Sequence, residues 1–166
     1  SLPSFVTKGL VVIDSKPQGA TIYLNDKKNG PFGKTPWHGS LDPKPTRLIL
    51  ESKGFKPEER AVTPQSDKLI GVYIALSEEH YLGWIEVTSN AIGADVYIDR
   101  KDIGAIGRTP FTGHLRPGKH TLYVEKRGYV GIEKTIDVKP GTATQYEWPL
   151  AQSDSGWINV VGRETP

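Results

Sequence analysis

Two stretches of this sequence, SKPQGATIYL at residues 15–24 and SNAIGADVYI at residues 89–98, are one element repeated. Ser, Gly-Ala and Tyr recur at equivalent positions, and Val and Ile in the second stretch replace Ile and Leu in the first. Each stretch changes from small and polar residues to alternating apolar residues, which is typical of a turn that leads into a β-strand. Equivalent residues lie 74 positions apart, and this offset sets the organisation of the chain.

The same offset extends from this element over most of the chain without a gap. Residues of the first copy with an identical partner 74 positions later include Gly9, Ser15, Gly19, Ala20, Tyr23, Gly30, Gly33, Thr35, Pro36, Gly39, Leu41, Pro43, Leu48, Glu51, Gly54, Glu59 and Leu76. Repeats of roughly 20–50 residues usually stack into solenoids, whereas a unit of this greater length can hold a core of its own. The sequence therefore predicts two duplicated domains, at residues 1–80 and 81–155.

A third stretch repeats the start of the second copy. Residues 156–158 carry the Gly-Trp-Ile of residues 83–85 at an offset of 73. Residues 156–166 are therefore predicted to begin a third repeat or to form a tail. Because Trp84 and Trp157 open their copies, we expect each of them to pack against the preceding domain.

The strand signals in each copy are short apolar or alternating runs bounded by Gly and Pro. In the first copy they cover residues 9–13, 20–24, 47–51, 59–63 and 69–76. No segment has apolar spacing of three and four residues for long enough to form a helix of useful length. The sequence predicts an all-β fold class: two tandem small antiparallel β-sandwiches, Ig-like or transthyretin-like, each of six or seven strands, arranged as beads on a string.

The composition excludes several classes of function. The 21 Lys and Arg against 19 Asp and Glu give a net charge of +2, so no sustained field of one sign attracts nucleic acid or an anionic membrane. The chain has no Cys, which excludes disulfides, thiolate metal sites and a Cys nucleophile. It has no run of about 18 apolar residues. We expect no nucleic-acid partner, no membrane insertion by this fragment, and any export signal or anchor outside it.

Two patterns that carry chemistry in other proteins fail here on spacing. Gly33-Lys34-Thr35 has the end of a phosphate-binding loop, but that loop needs a Gly where Lys28 stands, and Pro36 prevents the helix that should follow. The four His residues are His38, His80, His114 and His120. Only His114 and His120 have a separation that could place them on one strand face, and the turn at Pro117-Gly118 lies between them. None of the four has a His partner in the other copy. We therefore expect no cofactor, no metal site, no catalytic residue and no enzymatic activity.

The repeated features also follow one another in a characteristic order. Residues 17–20 are Pro-Gln-Gly-Ala, residues 33–36 are Gly-Lys-Thr-Pro, and a Leu-x-Pro turn and Lys-Gly-Phe at residues 53–55 follow. This order resembles the PEGA domain family, named for a Pro-Glu-Gly-Ala element, although residues 91–94 read Ala-Ile-Gly-Ala and so lack the Pro. The resemblance implies surface-layer-like tandem modules, extracytoplasmic in the periplasm or at the cell surface, without catalytic residues of their own.

Aromatic and cationic residues stand beside the repeated turns in both copies. The candidate binding residues are Trp37, Phe55, Phe111, Tyr129, Lys34 and Arg108. Such aromatics can stack on sugars or contact a protein partner. The same placement is also what a plug at the end of a sandwich requires, so both interpretations stay open at this point.

The turn before these aromatics carries a specific backbone expectation. Gly33 and Gly107, each followed by a cation, Thr and Pro, predict a positive φ at the Gly and a Pro that starts the next strand. The cationic side chain is then expected to lie over the neighbouring aromatic or to point to solvent.

Together these features favour a non-enzymatic extracytoplasmic spacer and protein–protein interaction module of a larger bacterial protein. The alternative is a carbohydrate or cell-wall (peptidoglycan) binding module that uses the aromatics near the loops. In either case the expected partner is another protein or a cell-envelope component, and the fragment itself is expected to be monomeric.

Overall fold

Strand β1 (Gly9–Lys16) illustrates how the apolar alternation becomes a sandwich in the computed structural model, which describes residues 7–153. Val11 and Ile13 are completely buried, whereas Leu10 and Val12 are exposed. Because successive side chains of a strand point to opposite faces, β1 closes a core with one face only. The chain divides into two compact units, Ser1–His80 and Tyr81–Pro166, called here the first and second units.

The first unit contains seven strands in two sheets. After β1 come β2 (Thr21–Leu24), β3 (Gly33–Lys34), β4 (Trp37–Leu41), β5 (Thr46–Glu51), β6 (Glu58–Val62) and β7 (Leu69–Ala75). One sheet has the order β4-β1-β7 and the other the order β3-β2-β5-β6. A single turn of 3-10 helix, Lys27–Asn29, lies in the connection between β2 and β3.

The second unit repeats this topology strand for strand. Its strands are β8 (Gly83–Thr88), β9 (Asp95–Ile98), β10 (Gly107–Arg108), β11 (Phe111–Leu115), β12 (Gly118–Glu125), β13 (Ile132–Val138) and β14 (Ala143–Glu147). Its sheets have the orders β11-β8-β14 and β10-β9-β12-β13. The duplication of the sequence is therefore a duplication of the fold.

Each unit has its own apolar core between its two sheets. The buried residues of the first are Val11, Ile13, Ala20, Ile22, Leu41, Leu48, Leu50, Val62, Ile74 and Leu76. Those of the second are Ile85, Val87, Ala91, Ala94, Val96, Ile98, Phe111, Leu122, Val124, Ile136, Val138 and Leu150. Burial of one Val, Leu or Ile side chain contributes about 1.5–3 kcal/mol, so these clusters are the main source of stability.

The predicted all-β sandwich fold is confirmed, with one difference in strand direction. The prediction made every pair antiparallel, but β1 and β7 pair in parallel, as do β8 and β14. Parallel neighbours need a crossover of a dozen or more residues, and five intervening strands supply it in each unit. This pairing joins the first and last strands of a unit. The alternation of apolar residues within one strand does not show which other strand it pairs with.

The sequence also missed two strands in each unit. The missed strands are β3 and β4 in the first unit and β10 and β11 in the second, and they contain Gly and polar residues that weaken the apolar signal. They form strands because each pairs with a neighbour: β3 with β2, β4 with β1, β10 with β9 and β11 with β8.

The predicted third repeat at residues 156–166 lies outside the described residues.

We propose that residues 1–80 and 81–155 fold independently, because each half holds a complete pair of sheets and its own core. Each half expressed alone should unfold cooperatively on heating, as followed by circular dichroism. The whole chain serves as the reference. The absence of a cooperative transition in both isolated halves would contradict this prediction.

Candidate functional site

Thr35 lies between β3 and β4, and its side chain holds the turn that leads into β2. It is a buried polar residue, and its Oγ1 accepts hydrogen bonds from the backbone N–H of Gly19 (3.1 Å) and Ala20 (3.0 Å). The hydroxyl also shares a hydrogen bond of 2.6 Å with Ser15. Two backbone hydrogen bonds run alongside, from Thr35 to Ala20 and from Gly19 to Thr35. The Gly-Lys-Thr-Pro and Pro-Gln-Gly-Ala elements are therefore two halves of one hydrogen-bonded structure.

Thr109 performs the same role in the second unit. Its hydroxyl donates to the carbonyl of Ala91 (2.6 Å) and accepts from the N–H of Ala94 (2.9 Å), and the side chain is 3% exposed. The Thr–Pro peptide bond is cis in both units. A buried backbone group without a partner is costly, so this hydroxyl is needed inside the fold. The Thr of the phosphate-loop lookalike is thus a structural residue.

The Gly of the same element has a different role from the predicted one. Neither Gly33 nor Gly107 has a positive φ, so that prediction is wrong. A Cβ at Gly107 would lie 2.6 Å from Cδ1 of Phe111, and one at Gly33 would lie 3.0 Å from Cδ1 of Trp37. The residue is Gly because an aromatic ring lies against its backbone. The sequence shows the invariance but not the neighbour that causes it.

Positive φ occurs instead in the partner element. Gly19 and Gly93 have φ values of +91° and +79°, a conformation that side chains with a Cβ rarely adopt. The Gly of the Gly-Ala dipeptide therefore sets the turn, and the following Ala enters the core, since Ala20 and Ala94 are completely buried.

The candidate aromatics mostly face their own cores. Phe111 is 3% exposed, and Trp37 is half-buried with its ring 5.0 Å from that of Phe32. Phe55 and Tyr129 are half-buried and pack against the core of their own unit. Of these four, only the partly exposed rings have surface available for a partner.

The two candidate cations behave as surface residues. Lys34 is exposed. The Nε of Arg108 lies 3.5 Å from a carboxylate oxygen of Asp95, with both side chains about half exposed. Three of the six candidate residues, Trp37, Phe55 and Lys34, belong to the first unit, and Phe111, Tyr129 and Arg108 belong to the second.

A groove in the second unit does bring Tyr129 together with polar residues. It has a volume of about 390 Å³ and is lined by Asp95, Tyr97, Glu125, Lys126, Arg127, Tyr129 and Gly131. The carboxylate of Asp95 that pairs with Arg108 therefore borders the same groove as Tyr129. Aromatic rings beside carboxylates can bind the faces and hydroxyls of a sugar or the side chains of a peptide.

Sequence reasoning missed a cluster of Tyr, Lys and Glu that both units share. In the first unit, the Lys27 ammonium lies 2.9 Å from the buried Glu51 carboxylate and 5.6 Å from the centre of the Tyr23 ring. All three residues recur 74 positions later. A charged residue that is identical in both copies is the signal that could have found the cluster.

The equivalent cluster in the second unit adds another ring. Lys101 forms a short ion pair with Glu125, and its ammonium lies 5.7 Å and 5.6 Å from the ring centres of Tyr97 and Tyr123. The hydrogen bond to Glu125 raises the pKa of Lys101 and outweighs burial, which acts in the opposite direction. This ion pair and cation–π contact fix Glu125 at the groove.

Trp84 is buried and contacts residues of its own unit. Its indole N–H donates to Glu86 (2.8 Å), and its ring packs edge-on against His114 with 4.7 Å between ring centres. The expected packing of Trp84 on the preceding domain stays a prediction, and Trp157 lies outside the described residues.

His120 is a partly buried titratable residue on β12. Its ring nitrogens lie 2.8 Å from the Asp99 carboxylate and 2.7 Å from the Arg116 carbonyl. Burial by itself lowers the pKa of His120, but these hydrogen bonds and the negative charge of Asp99 outweigh burial and raise it. In the first unit, Asn25 and Thr46 stand at the positions of Asp99 and His120, so the pair belongs to the second unit alone.

The raised pKa predicts a pH dependence of stability. Because folding favours the protonated imidazole, the contribution is fully present below the ordinary His pKa of about 6.5 and is lost as the pH rises through the higher folded value. The variant Asp99→Asn keeps an acceptor for the N–H of Thr121 but removes the charge, and should therefore lose part of this pH dependence. Denaturant midpoints of the natural chain and of Asp99→Asn, measured at several pH values between about 5 and 9, test this difference. If the midpoints of both proteins change with pH to the same extent, the prediction is contradicted.

Two further features were sought in the described part of the chain. Across residues 7–153, no group of three or more His, Asp and Glu side chains is arranged to hold a metal ion. Among the same residues, no helix has the length and apolarity to cross a membrane.

Comparison with known proteins gives one family and several distant structures. No curated protein matches the chain. The Bacillus anthracis TIE protein matches at 14% identity and a TM-score of 0.36 over 88% of this chain, which spans only 34% of that protein's length. The minor pilin of Streptococcus agalactiae matches at 10% identity and a TM-score of 0.34, covering 93% of this chain and 100% of the pilin. The shaft pilin of Lactobacillus rhamnosus GG matches at 9% identity and 0.33, covering 90% and 99%.

The family comparison is specific and covers both units. The PEGA domain model matches residues 8–80 and again residues 82–154. These ranges contain the paired Gly-Ala and Gly-Lys/Arg-Thr-Pro elements, whose hydrogen bonds build the β2 and β9 turns. The chain consists of two tandem PEGA domains and belongs to the PEGA domain family.

Proposed function

We propose that this chain is a non-enzymatic spacer and protein–protein interaction module of a larger extracytoplasmic protein. The observation that carries the proposal is that the residues shared by both copies are used to build the scaffold. The hydroxyls of Thr35 and Thr109 hold turns, and Glu51 and Glu125 pair with a Lys of their own unit. A duplication that preserves the scaffold suits a module that sets distance between other domains.

The surface supports the interaction part of the proposal, because the two copies differ there. The positions of Asp95, Arg127 and Tyr129 in the second unit are occupied by Thr21, Lys53 and Phe55 in the first. Two tandem modules that share a fold but differ in surface residues can divide the work: one can bind a partner while both add length between neighbouring domains. The extracytoplasmic location rests on the family to which the chain belongs.

The location can be tested in the bacterium that encodes the chain. An epitope inserted at the exposed turn of residues 25–30 should be removed by protease added to intact cells or to spheroplasts, while a cytoplasmic marker stays intact. Protection of the epitope until the cytoplasmic membrane is lysed would overturn the proposed location.

The second candidate is a carbohydrate or peptidoglycan binding module, and the groove of the second unit favours it. Two tyrosines and two carboxylates line that groove, which is a combination that recognises sugars as well as peptides. Sedimentation with purified peptidoglycan separates the two candidates. The spacer and protein-interaction proposal expects the chain to stay in the supernatant.

If the chain instead sediments with peptidoglycan, variants of the groove decide whether the groove is responsible. Tyr129→Phe gives the groove the ring that stands in the first unit, and Asp95→Asn removes a carboxylate. Glu59→Gln in the first unit is the matched control. Release by the groove variants and not by the control would replace the first candidate with the second.

A further inference from the structure

The last strand of the first unit, β7, has an unusual edge. In the order β4-β1-β7, one side of β7 pairs with β1 and the other side has no neighbouring strand among the described residues. An edge strand presents unpaired N–H and C=O groups and is a template for pairing with another strand. We propose that β7 pairs antiparallel with β7 of a second copy of this chain, joining two three-stranded sheets into one of six strands. This dimer would replace the monomer expected from the sequence.

The absence of charge on β7 is the first observation. Its sequence, Leu-Ile-Gly-Val-Tyr-Ile-Ala, contains no Asp, Glu, Lys, Arg or His. Each of the other edge strands in the described part of the chain, β3, β4, β6, β10, β11, β13 and β14, contains at least one of these residues. Charged residues on an edge strand are a common protection against pairing, and β7 alone among them is without it.

The comparison with the twin strand sharpens this point. β14 occupies the same edge of the second unit, but Gln145 and Glu147 stand where β7 has Gly71 and Tyr73. The duplication thus carries one polar edge and one apolar edge on the same scaffold. The difference lies in side chains that face outward, where the core imposes no requirement.

The backbone of β7 is suited to a symmetric pair. The N–H of Leu76 donates to Lys16 on β1, so alternation directs the N–H and C=O groups of residues 70, 72 and 74 toward β1. The groups of residues 69, 71, 73 and 75 are therefore directed to the free edge. A two-fold axis through Val72 places residue 69 opposite 75 and residue 71 opposite 73, so that only edge-directed groups form hydrogen-bonded pairs.

The side chains fit the same register. Tyr73 is 63% exposed, and the position of a Cβ on Gly71 has nothing within 4 Å. In the symmetric register each Tyr73 ring lies opposite the bare Gly71 of the other copy, an arrangement in which an aromatic ring covers an edge glycine. Leu69, which is 66% exposed, lies opposite the small Ala75. No like charges meet.

The outer face of the sheet extends the apolar contact. Leu10 and Val12 on β1 are exposed beside Leu69 and Gly71 of β7 in the parallel register. Pairing would therefore create a continuous apolar face across both copies. The occupant that these features favour is a second copy, because a two-fold register satisfies the edge with the residues it already contains.

Sedimentation velocity of the whole chain over a range of concentrations tests the proposal. We expect a reversible monomer–dimer equilibrium, because a single strand pair gives a small, transient interface, with a dissociation constant of roughly 1 μM to 1 mM. Tyr73→Lys should weaken the dimer at least about tenfold by placing a charge on each side of the two-fold axis. Glu147→Lys introduces the same residue at the equivalent position of β14 and should leave the dimer unchanged.

A cross-link tests the register. The natural chain has no Cys, so Val72→Cys introduces one thiol that lies opposite its own copy on the two-fold axis. Mild oxidation should give a covalent dimer, and Val12→Cys on β1 should not. A chain that stays monomeric at about 1 mM overturns the proposal, as does a dimer that Glu147→Lys weakens as much as Tyr73→Lys. Thermal melts confirm that each variant is folded.

Discussion

Replacing Thr109 with Val should lower the free energy of unfolding of the second unit by about 2–4 kcal/mol. Val has nearly the same shape as Thr, so the core loses little packing. The loss arises because the N–H of Ala94 and the carbonyl of Ala91 are left without the hydroxyl, in a position that is 3% exposed. An unpaired buried polar group costs about 1–3 kcal/mol, and the substitution leaves two.

Urea denaturation of the whole chain, followed by residue-resolved NMR, measures this effect. The amide signals of the first unit are an internal control, because the substitution does not touch that unit. Thr109→Ser is the matched variant, since it keeps the hydroxyl and should recover most of the stability. A larger loss for Ser than for Val would contradict the prediction, because Ser keeps the hydroxyl and Val keeps the methyl group.

Gly107→Ala should destabilise the second unit by about 2–3 kcal/mol through overpacking. The added Cβ would lie 2.6 Å from Cδ1 and 2.7 Å from Cε1 of Phe111, and the ring is buried and cannot move into solvent. This reason differs from the positive φ expected from the sequence, and the two reasons predict different behaviour in a double variant.

The double variant Gly107→Ala with Phe111→Leu separates them. If the ring causes the loss, the two substitutions together should cost clearly less than the sum of their separate effects. If the backbone conformation were the cause, the effects would add. Arg108→Ala is the control on the neighbouring residue, and should cost within about 0.5 kcal/mol because its contact with Asp95 is solvent-exposed. A large loss for Arg108→Ala would instead indicate a charge-mediated contact.

The two copies together distinguish requirements of the fold from choices made at the surface. Gly33 and Gly107, Thr35 and Thr109, and the paired Tyr, Lys and Glu are the same in both because each makes the same kind of contact in its own unit: with an aromatic ring, with the backbone of the turn, or within the ion pair. Asp95, Arg127 and Tyr129 of the groove differ from their first-unit equivalents, and so do the outward positions of β7 and β14. Comparing the two copies within one chain therefore separates residues that the fold requires from residues that it does not. The positions that differ are where binding partners should be sought.

Much of the fold followed from the sequence alone. The period of 74 residues, the all-β class and the alternation that buries Val11 and Ile13 are local or repeated patterns, and a single chain contains them in full. The resemblance to the PEGA family rested on turns, which are also local. Because alternation of burial is a property of consecutive residues, it can be predicted without knowing which strands pair.

Only the tertiary structure decided which distant residues meet. The parallel pairing of β1 with β7 joins strands separated by most of a unit, and the groove brings Asp95 of β9 to Tyr129 beyond β12. The order of residues also does not show that the ring of Phe111 lies over Gly107, or that the uncharged strand β7 stands at the edge of its sheet. Periodicity records which side of a strand is buried, whereas contacts depend on strand pairing across the chain, and that is set by packing the two sheets of each unit around one core.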